Sequence, residues 1–444
     1  MMDDLKPLGA VPSARQLAWH EREYYGFVHF GPNTFSGKEW GDGREDPKIF
    51  APKELDTDQW CRVFRDAGMT GVILTAKHHD GFCLWPSQFS THTVREAGFD
   101  GDVVAKVAKS CRKYGLKFGV YLSPWDRNHP QYGTEDYNDV FVAMLEEVLT
   151  NYGDVFEVWF DGANGEGPNG KKQVYDFARF NQTVRNLQPN AVIFSDAGPD
   201  IRWVGNEDGF SGETNWGTID RDRYVPGTPF YKELTEGKMG GTHWVPAECD
   251  VSIRKGWFWR GSEDSTVKST ERLMEIWRGS VGRGSNLLLN VPPDDRGLIS
   301  DVDVKALMDF RRAREEFLGE SVEAAVRGFS RRVGHESFRA GDGDARTFWA
   351  GNPDGDWRLT LDFGGYEEVT GIDVREYLQL GQRVSGWRVL VEGQDGWYEV
   401  AQGTTVGWRR VIGFGRVTVR KVVFEVTGAQ STPMISEIRA FRGY

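Results

Sequence analysis

From residue 24 to about 320 the chain repeats one unit: a short apolar run, a polar or Gly/Pro break, then an amphipathic stretch at helical spacing. Short uninterrupted apolar runs suit strands buried on both faces, and such strands come with helices packed over them. The strand candidates are Tyr24 to Gly31, Gly71 to Ala76, Leu116 to Leu122, Val155 to Phe160, Ala191 to Ser195 and Asn286 to Val291. Helical patterns occupy Thr57 to Ala67, Gly101 to Tyr114, Asp136 to Tyr152, Lys171 to Leu187 and Thr266 to Gly279. Ser300-Asp301-Val302-Asp303 reads as a capping box opening one more helix, to Leu318. The rhythm predicts an α/β fold, a (β/α)8 TIM-like barrel, with irregular units between 200 and 265, where Gly and Trp crowd together.

After about residue 320 the pattern changes to alternating strands such as Trp357 to Phe363 and Val417 to Phe424, with no long helix. Turn signals at short, even spacing predict a C-terminal β-sandwich. The expected domains are 1–325, the barrel, and 326–444, the sandwich, with the boundary in the Gly- and charge-rich stretch 320–343.

Composition narrows the function classes. A hydrophobic share of 39% and a charged share of 27% give a chain able to bury a core, and no run approaches the ~20 apolar residues of a membrane span. A net charge of −12 repels phosphate backbones, so no nucleic-acid partner and no membrane is expected. Cys61, Cys83, Cys111 and Cys249 are widely spaced, which reads as reduced, buried thiols and not as a zinc cluster or disulfide framework. The first residues carry no basic and apolar leader, so the expected location is cytoplasmic, or secreted or periplasmic if a leader has been removed. Tryptophan is abundant, 17 residues, and flat aromatic faces are one way to hold the C–H faces of sugars.

The chemistry-bearing residues fall at the ends of the strand candidates: His29, then Lys77-His78-His79-Asp80, Ser123, Asp161 and Asp196. Active sites of barrels collect at that rim. Asp161, between Phe160 and Gly162, is a carboxylate at a strand mouth, with a small residue behind it to admit a ligand; a helix cap or rim ion pair is the plainer reading. Adjacent histidines in an extended chain point to opposite sides, so one of His78 and His79 is expected to face the mouth and the other to serve as a structural donor. Metal binding is the rival reading for the histidines, but no H-x-H pair is present, and no metal or cofactor is expected. Phosphate loops and a serine nucleophile elbow are absent.

Glycoside hydrolysis needs two carboxyl groups, one to attack the anomeric carbon and one to protonate the leaving oxygen. Asp161 is one; Glu207 and Glu248, each near tryptophan, are candidates for the other, and spacing does not choose between them.

Gly26-Phe27-Val28-His29-Phe30-Gly31, Thr75-Ala76-Lys77-His78-His79-Asp80-Gly81-Phe82 and Val158-Trp159-Phe160-Asp161-Gly162 together resemble the α-L-fucosidases of glycoside hydrolase family 29, over roughly residues 15 to 320. The resemblance implies a retaining reaction with Asp161 as nucleophile. The stretches Arg202-Trp203-Val204-Gly205-Asn206-Glu207 and Trp244 to Arg254 look like the subgroup acting on α-1,3- and α-1,4-linked fucose, which implies Glu207 as acid/base. Glu248 is the fallback, or a holder of Arg254 or a sugar hydroxyl. The resemblance further implies that His29, Glu39, Trp40, His78 and His79 bind fucose hydroxyls. Phe27, Tyr121, Trp159 and Trp257 are candidates to receive the C5 methyl, or else simply fill the barrel top. The C-terminal segment looks like a discoidin-type, carbohydrate-binding-module-like sandwich, expected either to bind sugar or to brace the barrel. The expected partner is therefore a fucosylated glycan of Lewis or related branched type. A glycosidase for a related sugar and a non-catalytic carbohydrate-binding protein are the alternatives.

Overall fold

The structure, a computed structural model, describes residues 5–227, 231–330, 332–353 and 355–443. Eight strands form the closed barrel: β1 (Tyr24–Val28), β2 (Gly71–Lys77), β3 (Lys117–Leu122), β4 (Glu157–Trp159), β5 (Val192–Ser195), β6 (Ile201–Trp203), β7 (Ala247–Ser252) and β8 (Asn286–Asn290). All pair in parallel with their sequence neighbours, and β8 closes on β1.

The apolar rhythm identifies six of these strands; β6 and β7 have a different signature. β7 reads Ala-Glu-Cys-Asp-Val-Ser and is buried along its whole length. Cys249 and Val251 join the core shared with the helices, while the alternate residues include Asp250, which lines the cavity described below. A strand with polar residues on one face is not an uninterrupted apolar run. β6 is three residues long and carries the fully buried Arg202, whose guanidinium donates to the carbonyls of Leu234, Val245 and Trp216.

The outer ring consists of α2 (Thr57–Asp66), α3 (Val103–Tyr114), α4 (Asp136–Asn151), α5 (Phe177–Leu187), α6 (Thr270–Gly279) and α7 (Asp301–Leu318), with a short helix, Tyr231–Glu236, between β6 and β7. Side-chain caps set most starts: Asp56, Asp102, Asp176, Ser269 and Ser300 each accept a backbone N–H of the first turn. The caps also explain why α5 begins at Phe177 and α6 at Thr270, several residues later than the hydrophobic pattern alone places them. No helix joins β5 to β6, where only residues 196–200 intervene. Before the barrel, α1 (Ala14–His20), fixed by a Ser13–Gln16 capping box, contributes Trp19 to the barrel's inner aromatic cluster.

Past Leu318 the chain forms one eight-stranded antiparallel sheet: β9 (Glu320–Val322), β10 (Ala325–Gly328), β11 (Trp349–Ala350), β12 (Arg358–Glu376), β13 (Val384–Gly393), β14 (Gly396–Gly403), β15 (Arg410–Ala429) and β16 (Met434–Arg442). The two longest strands, β12 and β15, shift register between Asp362 and Glu367 and again between Val369 and Gly371, the bends that let one sheet enclose a core. That core contains Trp349, Trp387, Phe424 and a shell of Val and Ile.

The two domains meet over polar and aromatic contacts. Glu23, at φ 51°, accepts from Arg409 at 2.6 Å and from the Trp408 indole at 3.0 Å, and Arg409 also binds Asp373 at 2.8 Å. His20 stacks on Trp408 at 5.4 Å. Gln382 accepts from the Gly217 N–H at 2.8 Å and donates to the Asn215 carbonyl at 2.9 Å, while Thr405 accepts from the Asn215 N–H at 2.9 Å. The loop that follows β6 is thereby tied to the C-terminal sheet.

All four cysteines are free and buried, and Cys61 and Cys111 lie 3.8 Å apart. Among the described residues no helix is long and apolar enough to cross a membrane.

Candidate active site

A cavity of about 610 Å³ opens at the C-terminal ends of the barrel strands. Of the residues predicted from sequence, Phe27, His29, Glu39, Trp40, His78, His79, Tyr121, Trp159, Asp161, Glu207 and Trp257 line it. Glu248 and Arg254 do not. Asp250, Lys255, Arg260 and Glu263 line it and were not singled out in the sequence.

Two histidines are set in defined tautomers by their partners. The Asn290 amide donates to Ser252 and to the Trp257 carbonyl, both at 2.9 Å, so its oxygen faces His29 Nδ1 at 2.8 Å. That oxygen only accepts, which makes Nδ1 the protonated nitrogen and leaves Nε2 as an acceptor. The Ser123 hydroxyl gives its one proton to the Trp125 carbonyl at 2.8 Å, so at 2.7 Å it accepts from His79 Nδ1. His79 Nε2 is likewise an acceptor. Burial lowers both imidazoles to about 3, so they are neutral, and the 3.8 Å between His79 Nε2 and Asp161 is not an ion pair. Such acceptors suit hydroxyl donors.

The expectation that His78 and His79 face opposite ways is not met: both line the cavity, with ring centroids 4.2 Å apart. The extended strand ends at Lys77, and the Gly81 N–H turns back to the His78 carbonyl, so the alternation stops where the histidines begin. His78 lies over Tyr121, at 5.7 Å between near-parallel rings. The flanking Lys77 and Asp80 are structural: Lys77 is fully buried against Asp126 at 3.1 Å, and Asp80 accepts from Asn33 and from the Phe82 N–H.

Asp161 sits two residues beyond β4. It accepts from the Tyr121 hydroxyl at 3.0 Å and from the Ala163 N–H at 2.8 Å. Burial raises its pKa, and these two donors oppose the rise. A side chain at Gly162 would collide with Asp196, which accepts from the Gly227 N–H at 2.5 Å. Glu207, in the loop after β6, is exposed; partial desolvation raises its pKa, and the negative charges of Asp161 and Glu39 add to the rise, against a hydrogen bond from Trp257. Two carboxyl groups, one raised by the other's charge, thus face one cavity.

The wall opposite is a loop clamp. Glu39 accepts from the Trp257 N–H and from Arg260, each at 2.6 Å, and Arg260 also holds Glu263 at 2.8 Å. Trp40 stands at the mouth, 54% exposed, edge-on to His79. Phe27, Tyr121 and Trp159 form the apolar floor, with Phe27 and Trp159 5.3 Å apart.

Glu248 lies beneath that floor. It is fully buried, accepts from the Trp159 indole at 2.8 Å and from the Tyr25 hydroxyl, and pairs with the equally buried Glu157. It does not hold Arg254, as one expectation had it. Arg254 instead donates to Asp303 at 2.9 Å, Asp264 at 2.8 Å and Ser300 at 3.0 Å, clamping the loop after β7 to the cap of α7. No cluster of three or more His, Cys, Asp or Glu arranged for a metal occurs among the described residues.

The family model described as alpha-L-fucosidase matches residues 10–312, most of the chain and all eight barrel strands. The chain belongs to the α-L-fucosidase family. It is 40% identical over 97% of its length to "Alpha-L-fucosidase 1" of Arabidopsis thaliana, covering 87% of that protein. It is 41% identical over 98% of its length to "Putative alpha-L-fucosidase 1" of Oryza sativa subsp. japonica, covering 86% of that protein. A Ruminococcus gnavus GH29 fucosidase in complex with fucose superposes with a TM-score of 0.88 at 29% identity, covering 99% of this chain and 96% of that one. The barrel followed by an antiparallel sheet domain is thus the arrangement of GH29 fucosidases, and the activity of this α-L-fucosidase is glycoside hydrolysis.

Proposed function

We propose that the protein is a retaining exo-α-L-fucosidase acting on terminal α-1,3- or α-1,4-linked fucose of branched, Lewis-type glycans. The observation that carries this reading is the pair of carboxyl groups in one cavity with different settings. Desolvation raises both pKa values, but at Asp161 two donated hydrogen bonds oppose the rise, whereas at Glu207 the charges of Asp161 and Glu39 add to it against a single hydrogen bond from Trp257.

Asp161 attacks C1 of fucose while Glu207 gives its proton to the departing glycosidic oxygen, leaving a fucosyl ester on Asp161. Glu207, now ionised, takes a proton from water, and the resulting oxygen attacks C1 from the opposite face. Asp161 leaves and α-fucose is released. Sugar hydroxyls donate to the bare Nε2 atoms of His29 and His79, and the C5 methyl rests on the floor of Phe27, Tyr121 and Trp159, where its burial is worth about 1 kcal/mol. The linkage reading rests on the likeness of Arg202 to Glu207 and Trp244 to Arg254 to the 1,3/1,4-acting subgroup. For the C-terminal sheet, the Glu23–Arg409 and Gln382–Gly217 contacts support bracing of the barrel over independent sugar binding.

Proton NMR of a Lewis x trisaccharide incubated with the protein tests this. The expected result is free fucose, first seen as the α anomer, with none from Asp161→Ala. First-formed β-fucose overturns the retaining step, and cleavage of an aryl fucoside but not of the trisaccharide overturns the linkage claim.

A further inference from the structure

The mechanism above leaves one cavity residue unused. Asp250 sits on β7, is 3% exposed, and faces the same cavity as Asp161 and Glu207. Its Oδ1 is buried with no hydrogen-bond partner. Burying a carboxyl group without partners is expensive, and a carboxylate more so than an acid. Every other carboxyl group on the cavity wall has a partner: Asp161 has Tyr121 and Ala163, Glu39 has Arg260, Glu263 has Arg260, and Glu207 has Trp257.

Burial pushes the Asp250 carboxyl well above its ordinary range, and the charges of Glu207, Glu248 and Asp161 push the same way. Burial without a partner for Oδ1 thus favours the neutral acid, which can donate, over the carboxylate. His29 and His79 present acceptors to the cavity, as their tautomers require, and a neutral Asp250 adds a donor to the same cavity. A sugar hydroxyl both donates and accepts, and one bound between acceptors and Asp250 would use both capacities.

Resting on the fucosidase reading, we infer that Asp250 is a substrate-binding residue that donates a hydrogen bond from its neutral carboxyl group to one ring hydroxyl of the bound fucose. A site built to bond a hydroxyl strongly rejects the analogue lacking it, because its own polar group is left unpaired.

The test compares wild type, Asp250→Ala and Asp250→Asn on 4-nitrophenyl α-L-fucoside and its 2-, 3- and 4-deoxy analogues. On the parent fucoside, Asp250→Ala is expected to lower kcat/KM by at least about 10-fold. On one of the three deoxy analogues that loss should shrink to within about twofold, since the hydroxyl is already gone. Asp250→Asn, which can still donate, should retain at least about ten times the kcat/KM of Asp250→Ala on the parent. Equal losses on all four substrates, or an Asn variant no better than Ala, overturn the inference. If Asp250→Ala does not fold, Asp250→Leu, which fills similar space and cannot donate, takes its place over the same four substrates, with equal losses on all four again overturning the inference. A wild type inert on the parent fucoside fails the fucosidase reading itself, a separate outcome.

Discussion

Two layers of carboxyl groups occupy the barrel interior, and they differ in what surrounds them. In the upper layer Asp161 and Glu207 face a cavity, and each oxygen of Asp161 accepts one hydrogen bond, from Tyr121 and from the Ala163 N–H. In the lower layer Glu157 and Glu248 are sealed under Trp159, and Trp19, Tyr25 and Trp159 all donate to them. The same residue types line the cavity above, where we propose that they catalyse, and pack below. What separates the roles is access to the cavity, a property of depth along the strand and not of composition.

The sharpest way to break the comparison is to remove one member from each layer. Asp161→Ala is expected to lower kcat on an aryl fucoside by on the order of 10⁴-fold or more, with the thermal midpoint unchanged within a few degrees. Glu207→Ala should cost about 10²- to 10⁴-fold on a trisaccharide whose leaving oxygen needs a proton, and much less on an aryl fucoside with a good leaving group. Steady-state kinetics on the two substrates reads that ratio; equal losses on both would argue against acid catalysis by Glu207.

In the lower layer the loss should appear as stability instead. Glu157→Ala leaves the Trp19 indole without its carboxylate partner and opens a void, so unfolding in urea should show a loss of about 3 kcal/mol. A subtler variant is Glu157→Gln. Burial first, then the charge of Glu248, raises the Glu157 pKa well above the usual carboxyl range. The folded chain therefore keeps a proton that the unfolded chain releases above about pH 4.3. That stabilisation is complete at acid pH and declines as pH rises toward the folded-state pKa. Glu157→Gln removes this titration, so the fall in urea midpoint between about pH 5 and about pH 8 should become shallower. The smallest effect is expected at the mouth, where Trp40→Ala should raise KM by about two- to fivefold and leave kcat nearly unchanged, because this half-exposed ring contributes uniform binding.

Much of this was legible in the sequence because the barrel writes itself as apolar runs followed by polar strand ends. His29, His79 and Asp161 were found by their place at those ends. β7 was not, since its inward residues Glu248, Asp250 and Ser252 break the apolar pattern that marks the other strands, and Asp250 went unnoticed with it. Glu248 could not be told from Glu207 by spacing: each follows tryptophan, and only the depth at which the chain leaves them, one inside a strand and one in a loop beyond it, distinguishes them. Arg260, and with it Glu263, was invisible because the Glu39 that Arg260 also binds comes from a loop more than two hundred residues earlier.

The tether from Gln382 and Thr405 to Asn215 and Gly217 also has a bearing on the order of events during synthesis. Domains generally fold as they emerge from the ribosome, the N-terminal one first. The barrel strands all precede residue 291, so the barrel can close while the sheet is still being made. The loop between Trp203 and Trp216, which holds Glu207, gains its last hydrogen bonds only when the final domain docks. A nascent chain would pass through a stage with a formed pocket and an unfastened Glu207 loop, fixed only once the segments around Gln382 and Thr405 have docked.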